Sequence, residues 1–367
     1  MKKVLVTGSL GYIGSVLTGY LEERGYSCVG YDTGFFRDCV LYAPPETETI
    51  LGDARDMKEE HLDGVDAVVH LAGISNDPFG KLDVSRIYDP TREYALNIAK
   101  MCQEKGIKFV YASSCSAYGL GEAELLTESS PAYPQTPYSL NKLQVEEDLR
   151  AISGKDFSPV ALRFATVFGS SPRPRFDVVV NMFVGMAVTA RKIILNSDGL
   201  AWRPNVHILD VCQAIERAIE HNSVEGGLMV LNVGDEGNNL RVIEIAKIVQ
   251  DAVPGCKIEF LEKNLALDKE GLIRDRKVKG GVDTRTYRVS FEKIKTVFPG
   301  FKCAWPVKRG VEEMAGLLEK LFFGKDKLKQ RDFYRLQKIE SLHENRFLSD
   351  DLRWLKDRPE IPKTPRL

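Results

Sequence analysis

Tyr138 and Lys142 stand four residues apart in Pro137-Tyr138-Ser139-Leu140-Asn141-Lys142. That spacing puts two side chains on one face of a helix. A free tyrosine ionises near pH ~10 and is a poor base at neutral pH. A neighbouring ammonium stabilises phenolate, as does a positive nicotinamide ring, so the pair could move a proton. The lysine could also hold a nicotinamide ribose. A solvated aromatic–lysine pair has the same spacing, so position has to decide. Upstream, Ser113 and Ser114 end the apolar run Phe109 to Ala112. Parallel-sheet enzymes set their reacting groups at such strand ends. A serine hydroxyl there can bond the hydroxyl or carbonyl that Tyr138 serves.

A second constellation lies at the start of the chain. Thr7-Gly8-Ser9-Leu10-Gly11-Tyr12-Ile13-Gly14 follows an apolar strand and opens a helix. A helix N-terminus presents unpaired N–H groups and a positive partial charge, which suit a pyrophosphate. Gly8 permits the tight turn, Gly11 lets phosphate reach the backbone, and Gly14 lets helix and strand pack closely. Tyr12 and Ile13 belong to the same expected dinucleotide seat. Asp32 ends the second strand, where its carboxylate can accept both ribose hydroxyls of NAD and repel a 2′-phosphate. A solvated turn aspartate is the plainer reading, and nearby Arg37 would favour NADP. Asp53, followed by Ala54, comes after the expected third strand. It could accept a bond from the adenine amino group or simply cap a turn.

The elements that must carry these residues are legible in outline. Short apolar runs occur at Val4 to Thr7, Cys28 to Tyr31, Ala67 to Leu71, Phe109 to Ala112, Val160 to Arg163 and Met229 to Asn232. Runs of that kind suit strands buried on both faces. Segments of helical length separate them, such as Gly14 to Arg24 and Glu93 to Lys105. The alternation predicts an α/β fold, a doubly wound parallel (Rossmann) sheet with a smaller mixed α/β lobe. We expect a dinucleotide-binding domain over 1–170 with a chain return at about 206–235. The substrate lobe is expected over 171–205 and 236–310, with a charged helical extension over 311–367. The 367 residues carry a net charge of −1, so bulk charge gives nucleic acid no support as a partner. No apolar run approaches the ~20 residues of a membrane span. Seven dispersed cysteines suit reduced thiols in the cytosol and no metal site.

Together the motifs resemble the extended short-chain dehydrogenases/reductases. The resemblance rests on Thr7 to Gly14, His70-Leu71-Ala72-Gly73, Ser113-Ser114-Cys115-Ser116-Ala117-Tyr118-Gly119 and Tyr138 to Lys142. Leu162 to Gly169 and Trp202 to Asp210 continue it, so that it spans about residues 1 to 310. It is nearest the NAD-dependent epimerase/dehydratase branch, which includes UDP-glucose 4-epimerases. The resemblance implies a catalytic triad of Ser114, Tyr138 and Lys142. Ser114 aligns by counting back from Gly119, and Ser113 is the weaker alternative. It also places Leu71, Ala72 and Gly73 at the cofactor, and Ser75, Ser116, Thr166, Asn181, Arg203 and Arg285 at the substrate. Arg203 has the planar fork that matches phosphate oxygens, although a surface ion pair would explain it as well. Arg173 and Arg175 bracket Pro174 and could meet phosphate, a sugar carboxylate or solvent.

Two departures narrow the reaction. Related 4,6-dehydratases carry Asp-Glu after the active-site hydroxyl residue, where this chain has Cys115-Ser116. Galactose-type epimerases usually carry lysine where Ser75 stands and asparagine near Thr166. The expectation is therefore an NAD-dependent sugar-nucleotide epimerase, an isomerase of carbohydrate biosynthesis working at C4 through a transient 4-keto sugar. It would be a cytoplasmic homodimer taking a nucleotide-sugar substrate. A reductase or dehydrogenase, a 4,6-dehydratase and a non-catalytic dinucleotide sensor are the alternatives.

Overall fold

The computed structural model describes residues 1–75, 84–119, 125–222, 226–260 and 286–365. In chain order the strands are β1 (Lys3–Thr7), β2 (Ser27–Asp32), β3 (Thr49–Leu51), β4 (Ala67–His70), β5 (Lys108–Ser114) and β6 (Val160–Phe164). Then come β7 (Thr166–Phe168), β8 (Lys192–Leu195), β9 (Trp202–His207), β10 (Met229–Val233), β11 (Asn239–Arg241) and β12 (Lys257–Phe260). The helices are α1 (Gly14–Glu22), α2 (Val84–Lys105), α3 (Pro137–Ile152), α4 (Val179–Ala190) and α5 (Ile208–Glu220). They continue with α6 (Val242–Ala252), α7 (Glu292–Val297), α8 (Val307–Lys320), α9 (Lys325–Leu328) and α10 (Arg335–Glu344).

Seven strands form one sheet in the order β10-β6-β5-β4-β1-β2-β3, and every pairing in it is parallel. Alternate side chains serve opposite faces. On β1, Val4 and Val6 join Leu17 and Leu21 of α1 and Val211 and Ile215 of α5. Leu5 joins Ala95 and Ile98 of α2 and Val145 and Leu149 of α3 on the other face. Covering both faces is why these strands read as unbroken apolar runs. The doubly wound Rossmann sheet expected from the sequence is present. Strand order reverses between β1 and β4, so the adjoining loops part and open a crevice at the strand ends.

Two smaller sheets, β11-β9-β7 and β12-β8, lie beside a second core. Phe183 and Val184 of α4, Ile245 and Val249 of α6, and Val311, Met314 and Leu318 of α8 share it. Thus α8 crosses the expected division at 310/311 and packs inside this lobe. Helix α2 begins at Val84, nine residues before the expected Glu93, and has Pro90 inside it. Proline normally marks a helix limit, which is why the first turns escaped the sequence reading.

Beyond α9 the chain turns back toward the loop after β2. Phe35 is buried there with Ile87, Tyr88, Ile339, Leu342, Leu348 and Leu352. Trp354 Nε1 donates to Thr33 O at 2.7 Å, and Ala43 N donates to Pro365 O at 2.9 Å.

Candidate active site

One cleft runs along the carboxyl ends of β1, β2, β4, β5 and β6. Its floor is the turn after β1. Gly8 has φ +75°, and a Cβ there would stand 2.9 Å from the backbone of Ala72. A Cβ on Gly14 would come within 2.2 Å of Gly8 O, so neither position accepts a larger residue. Around Gly11 the closest neighbour is Gly8 O at 3.1 Å. These constraints bring the first turn of α1 against the cleft, as a phosphate seat requires. Gly8, Gly11, Tyr12, Ile13, Gly14, Leu71, Ala72 and Gly73 all line it.

Asp32 lines the same cleft at the end of β2. Its carboxylate accepts Leu10 N at 2.9 Å and Gly34 N at 2.6 Å. Burial raises its pKa against the pull of those bonds and of Arg173 and Arg335. Two further lone pairs remain for ribose hydroxyls. Asp53 and Ala54 line the cleft as well. The Asp53 carboxylate caps the turn Ala54–Asp56 by accepting Arg55 N, and it receives the Arg55 guanidinium at 2.9 and 2.5 Å. Burial opposes ionisation of Asp53, yet the bonds from Arg55 hold its pKa below the ordinary carboxylate range. Asp53 thus caps this turn and holds Arg55 while it lines the cleft. Among the described residues of this cleft, Arg37 does not appear.

Ser113, Ser114, Tyr138 and Lys142 line the other end. Thr136 and Ser139 form a reciprocal cap at the start of α3: Thr136 Oγ1 accepts Ser139 N, and Ser139 Oγ accepts Thr136 N. Pro137 at the first helical position suits the same start. This cap, which the sequence reading passed over, places Tyr138 at the cleft and Lys142 one turn behind it. Lys142 Nζ donates to Ala112 O at 2.7 Å and stands 5.7 Å from the Tyr138 ring centre. Burial lowers the Lys142 pKa to about 8, while Glu146 opposes the shift.

The two serines of β5 are not equivalent. Ser113 donates to Glu146 at 2.5 Å, and Glu146 accepts Arg163 through two bonds of 2.9 and 2.7 Å. That network is buried and occupies the Ser113 proton. Ser114 Oγ accepts Ser116 N at 3.1 Å, which leaves its proton to donate. Ser116 lines the cleft, and its Oγ is buried without a hydrogen-bond partner among the described residues. Cys115 points the other way, 1% exposed, with its thiol on Arg163 O at 3.2 Å. Burial drives the Cys115 pKa up, so it stays a protonated thiol.

Ser75, Thr166 and Arg203 line the cleft with Tyr138. Ser75 Oγ accepts Arg175 Nη1 at 3.0 Å, and Arg175 pairs with Asp177 at 2.8 Å. Asn181 does not line it, contrary to expectation. Its side chain is wholly buried, bonded to Gly169 N, the Tyr12 hydroxyl and Arg175 O. Those internal bonds make it a strut between segments and leave it no reach toward a ligand. Arg285 lies outside the described residues. Arg335, from the far end of the chain, was missed by sequence reasoning; it lines the cleft with Asp351 and Leu352. Nothing in the local pattern could have signalled it, because more than 300 residues separate it from the glycine turn.

Residues 4–234 match the NAD dependent epimerase/dehydratase family. The UDP-glucose 4-epimerase of Azospirillum brasilense is 28% identical over 268 residues, covering 68% of this chain and 77% of that protein. The UDP-glucose 4-epimerase of Bacillus subtilis is 25% identical over 341 residues, 85% of this chain and 94% of that one. Among solved structures, the NAD-dependent NDP-hexosamine 5,6-dehydratase TunA superposes with a TM-score of 0.72 at 20% identity, over 87% of this chain and 98% of its own. That last likeness concerns the fold. With its glycine turn, parallel sheet and Tyr–Lys helix in place, the chain belongs to the NAD-dependent epimerase/dehydratase family.

Proposed function

We propose that this chain is a sugar-nucleotide epimerase that inverts C4, with Ser114, Tyr138 and Lys142 as its working groups. The observation that carries this reading is the company Tyr138 keeps. A serine donor and a lysine share its end of the cleft, while the two positions after Ser114 hold a buried thiol and an alcohol. Proton transfer at a hydroxyl is provided for. A carboxylate pair that would expel water from the sugar is not supplied at 115 and 116.

In this reading Tyr138 accepts the proton of the C4 hydroxyl, and Ser114 donates to the same oxygen. The Lys142 ammonium favours the phenolate that begins the step. Bound NAD supplies reversible removal of the C4 hydrogen with its electron pair, so the sugar is oxidised and then reduced with no net redox change. After the ketone turns over, Tyr138 returns the proton to the oxygen. Thr166, Ser75 and Ser116 offer hydroxyls to the sugar, and Arg203 offers its fork to the diphosphate.

Seven free thiols support a reducing compartment, the cytosol. Half-exposed Leu140 on α3 and Tyr133 just before it offer apolar surface for a homodimer; light scattering would test the mass. The reaction itself is tested with a panel of nucleotide sugars deuterated at C4, in ordinary water. Deuterium retained in the C4-inverted product is the expected result. Stoichiometric NADH release, or loss of water from the sugar, would overturn the proposal.

A further inference from the structure

Arg335 opens α10, and its residue is 4% exposed although it lines the cleft. Its backbone N–H donates to Asp177 at 3.2 Å and its Nη2 to Arg173 O at 2.7 Å. The guanidinium lies over the Phe36 ring, 4.4 Å from its centre. Its Nη1 is buried with no hydrogen-bond partner among the described residues. A buried charged donor left in that state is costly to the fold.

The surrounding charges do not balance it. Asp177 is shared: it pairs with Arg175 and also accepts the Arg335 backbone N–H. Asp32 already accepts two backbone N–H groups, and Arg173 stands beside it as a second cation. Arg173, Arg175 and Arg335 thus crowd around Asp32 and Asp177, with Asp38 also acting on Arg173. Burial, with Arg175 and Arg173, pulls the Arg335 pKa down to about 10 against the opposing pull of Cys39 and Asp177, which still leaves it charged at neutral pH. The unpartnered Nη1 is the donor this cluster leaves for an anion. On the cleft wall that anion would meet the first turn of α1 through Gly11, Tyr12 and Ile13.

We propose that Arg335 Nη1 binds the pyrophosphate of the dinucleotide, so that the C-terminal segment completes the cofactor site from the side facing the glycine turn. The inference rests on the cleft being the NAD site. Two pyrophosphates could enter such a cleft, the cofactor's and the nucleotide sugar's. Arg335 lies with Phe36 and within the electrostatic reach of Asp32, both belonging to the β2 end, which assigns it to the cofactor. The same segment then continues over the adenosine end. Leu352 and Asp351 line the cleft, Asp351 O accepts Arg55 Nη1 at 2.7 Å, and Arg358 Nε donates to Thr33 O at 2.8 Å.

The test uses full-length protein stripped of nucleotide, with NADH, ADP-ribose, adenosine and UDP as probes. Arg335→Ala should weaken NADH and ADP-ribose by roughly 10- to 100-fold, the loss of one charge-assisted bond. Adenosine, which lacks the pyrophosphate, and UDP should keep their affinities. Arg335→Lys, which keeps the charge, should recover part of the loss and guards against a folding defect in the alanine variant. Unchanged NADH affinity in both variants, or weakened UDP with NADH intact, would overturn the proposal. Because no turnover is read, a wrong guess about epimerisation would leave these outcomes untouched.

Discussion

The two ends of the cleft are built by different means. At the proposed catalytic end, Ser114, Tyr138 and Lys142 come from 29 residues of sequence: a strand end and the first turns of the helix that packs beside it. At the adenosine end, Thr33 meets Trp354 across 321 residues, and Arg55 meets Asp351 across 296. Short-range construction suits groups that must keep a fixed mutual geometry, because capped helix and buried strand hold them with few loose joints. Long-range construction suits a cover, which needs only to close over a ligand already seated.

The comparison breaks most visibly at Tyr138. Tyr138→Phe should lower turnover by about 10²–10⁴-fold and leave NADH binding near wild type, since the ring's shape is kept. Steady-state rates beside a fluorescence titration check this; wild-type turnover would remove the phenol from the chemistry.

Rigidity of this end is tested at Glu146, which is fully buried and does not line the cleft. Glu146→Ala leaves Arg163 buried without its carboxylate and should cost about 3–5 kcal/mol of stability. Thermal melting reads the loss, and an unaltered melting point would show the network to be dispensable. At the opposite end, Trp354→Ala removes one hydrogen bond and the indole packed 5.7 Å from the Phe35 ring centre. The expected effect is smaller, about tenfold in NADH affinity, with no comparable fall in melting temperature. Equal damage to melting at both ends would erase the distinction drawn here.

The finest test is pH. Burial lowers the Lys142 pKa to about 8, so its ammonium is lost as pH rises through that value. Support for phenolate goes with it, and kcat should descend on the alkaline side near pH 8. Lys142→Arg, which stays charged there, should move that limb upward even if its plateau is lower.

How far the sequence reveals all this follows the same division. Six of the seven strands of the large sheet lie within about two residues of the apolar runs that announce them, because burial on both faces leaves a continuous signature, whereas the short, partly exposed edge strand β3 has no such run. The glycine turn is legible because sterics at Gly8 and Gly14 admit nothing else. Ser113 and Ser114 could not be told apart by type. Their difference resides in Glu146, which lies 33 residues from Ser113 and takes one hydroxyl and not the other. The family resemblance placed Asn181 at the substrate, yet its bonds run to Gly169, Tyr12 and Arg175 within the protein. The closing segment gave its helical rhythm but no address, since periodicity says which face is apolar and never what that face will meet.

Tyr12 carries a consequence of its own. It sits inside the glycine turn, but its hydroxyl donates to Gly169 O at 2.7 Å and accepts Asn181 Nδ2 at 3.1 Å, while its carbonyl accepts Ser171 Oγ at 2.8 Å. The seat of one ligand is thereby fastened to the lobe expected to hold the other. Such a joint is a thermodynamic linkage: any free energy by which the nucleotide sugar tightens it is returned, in equal amount, as affinity for the dinucleotide. Cofactor affinity measured with UDP present and absent therefore measures this joint, with no need for a catalytic cycle.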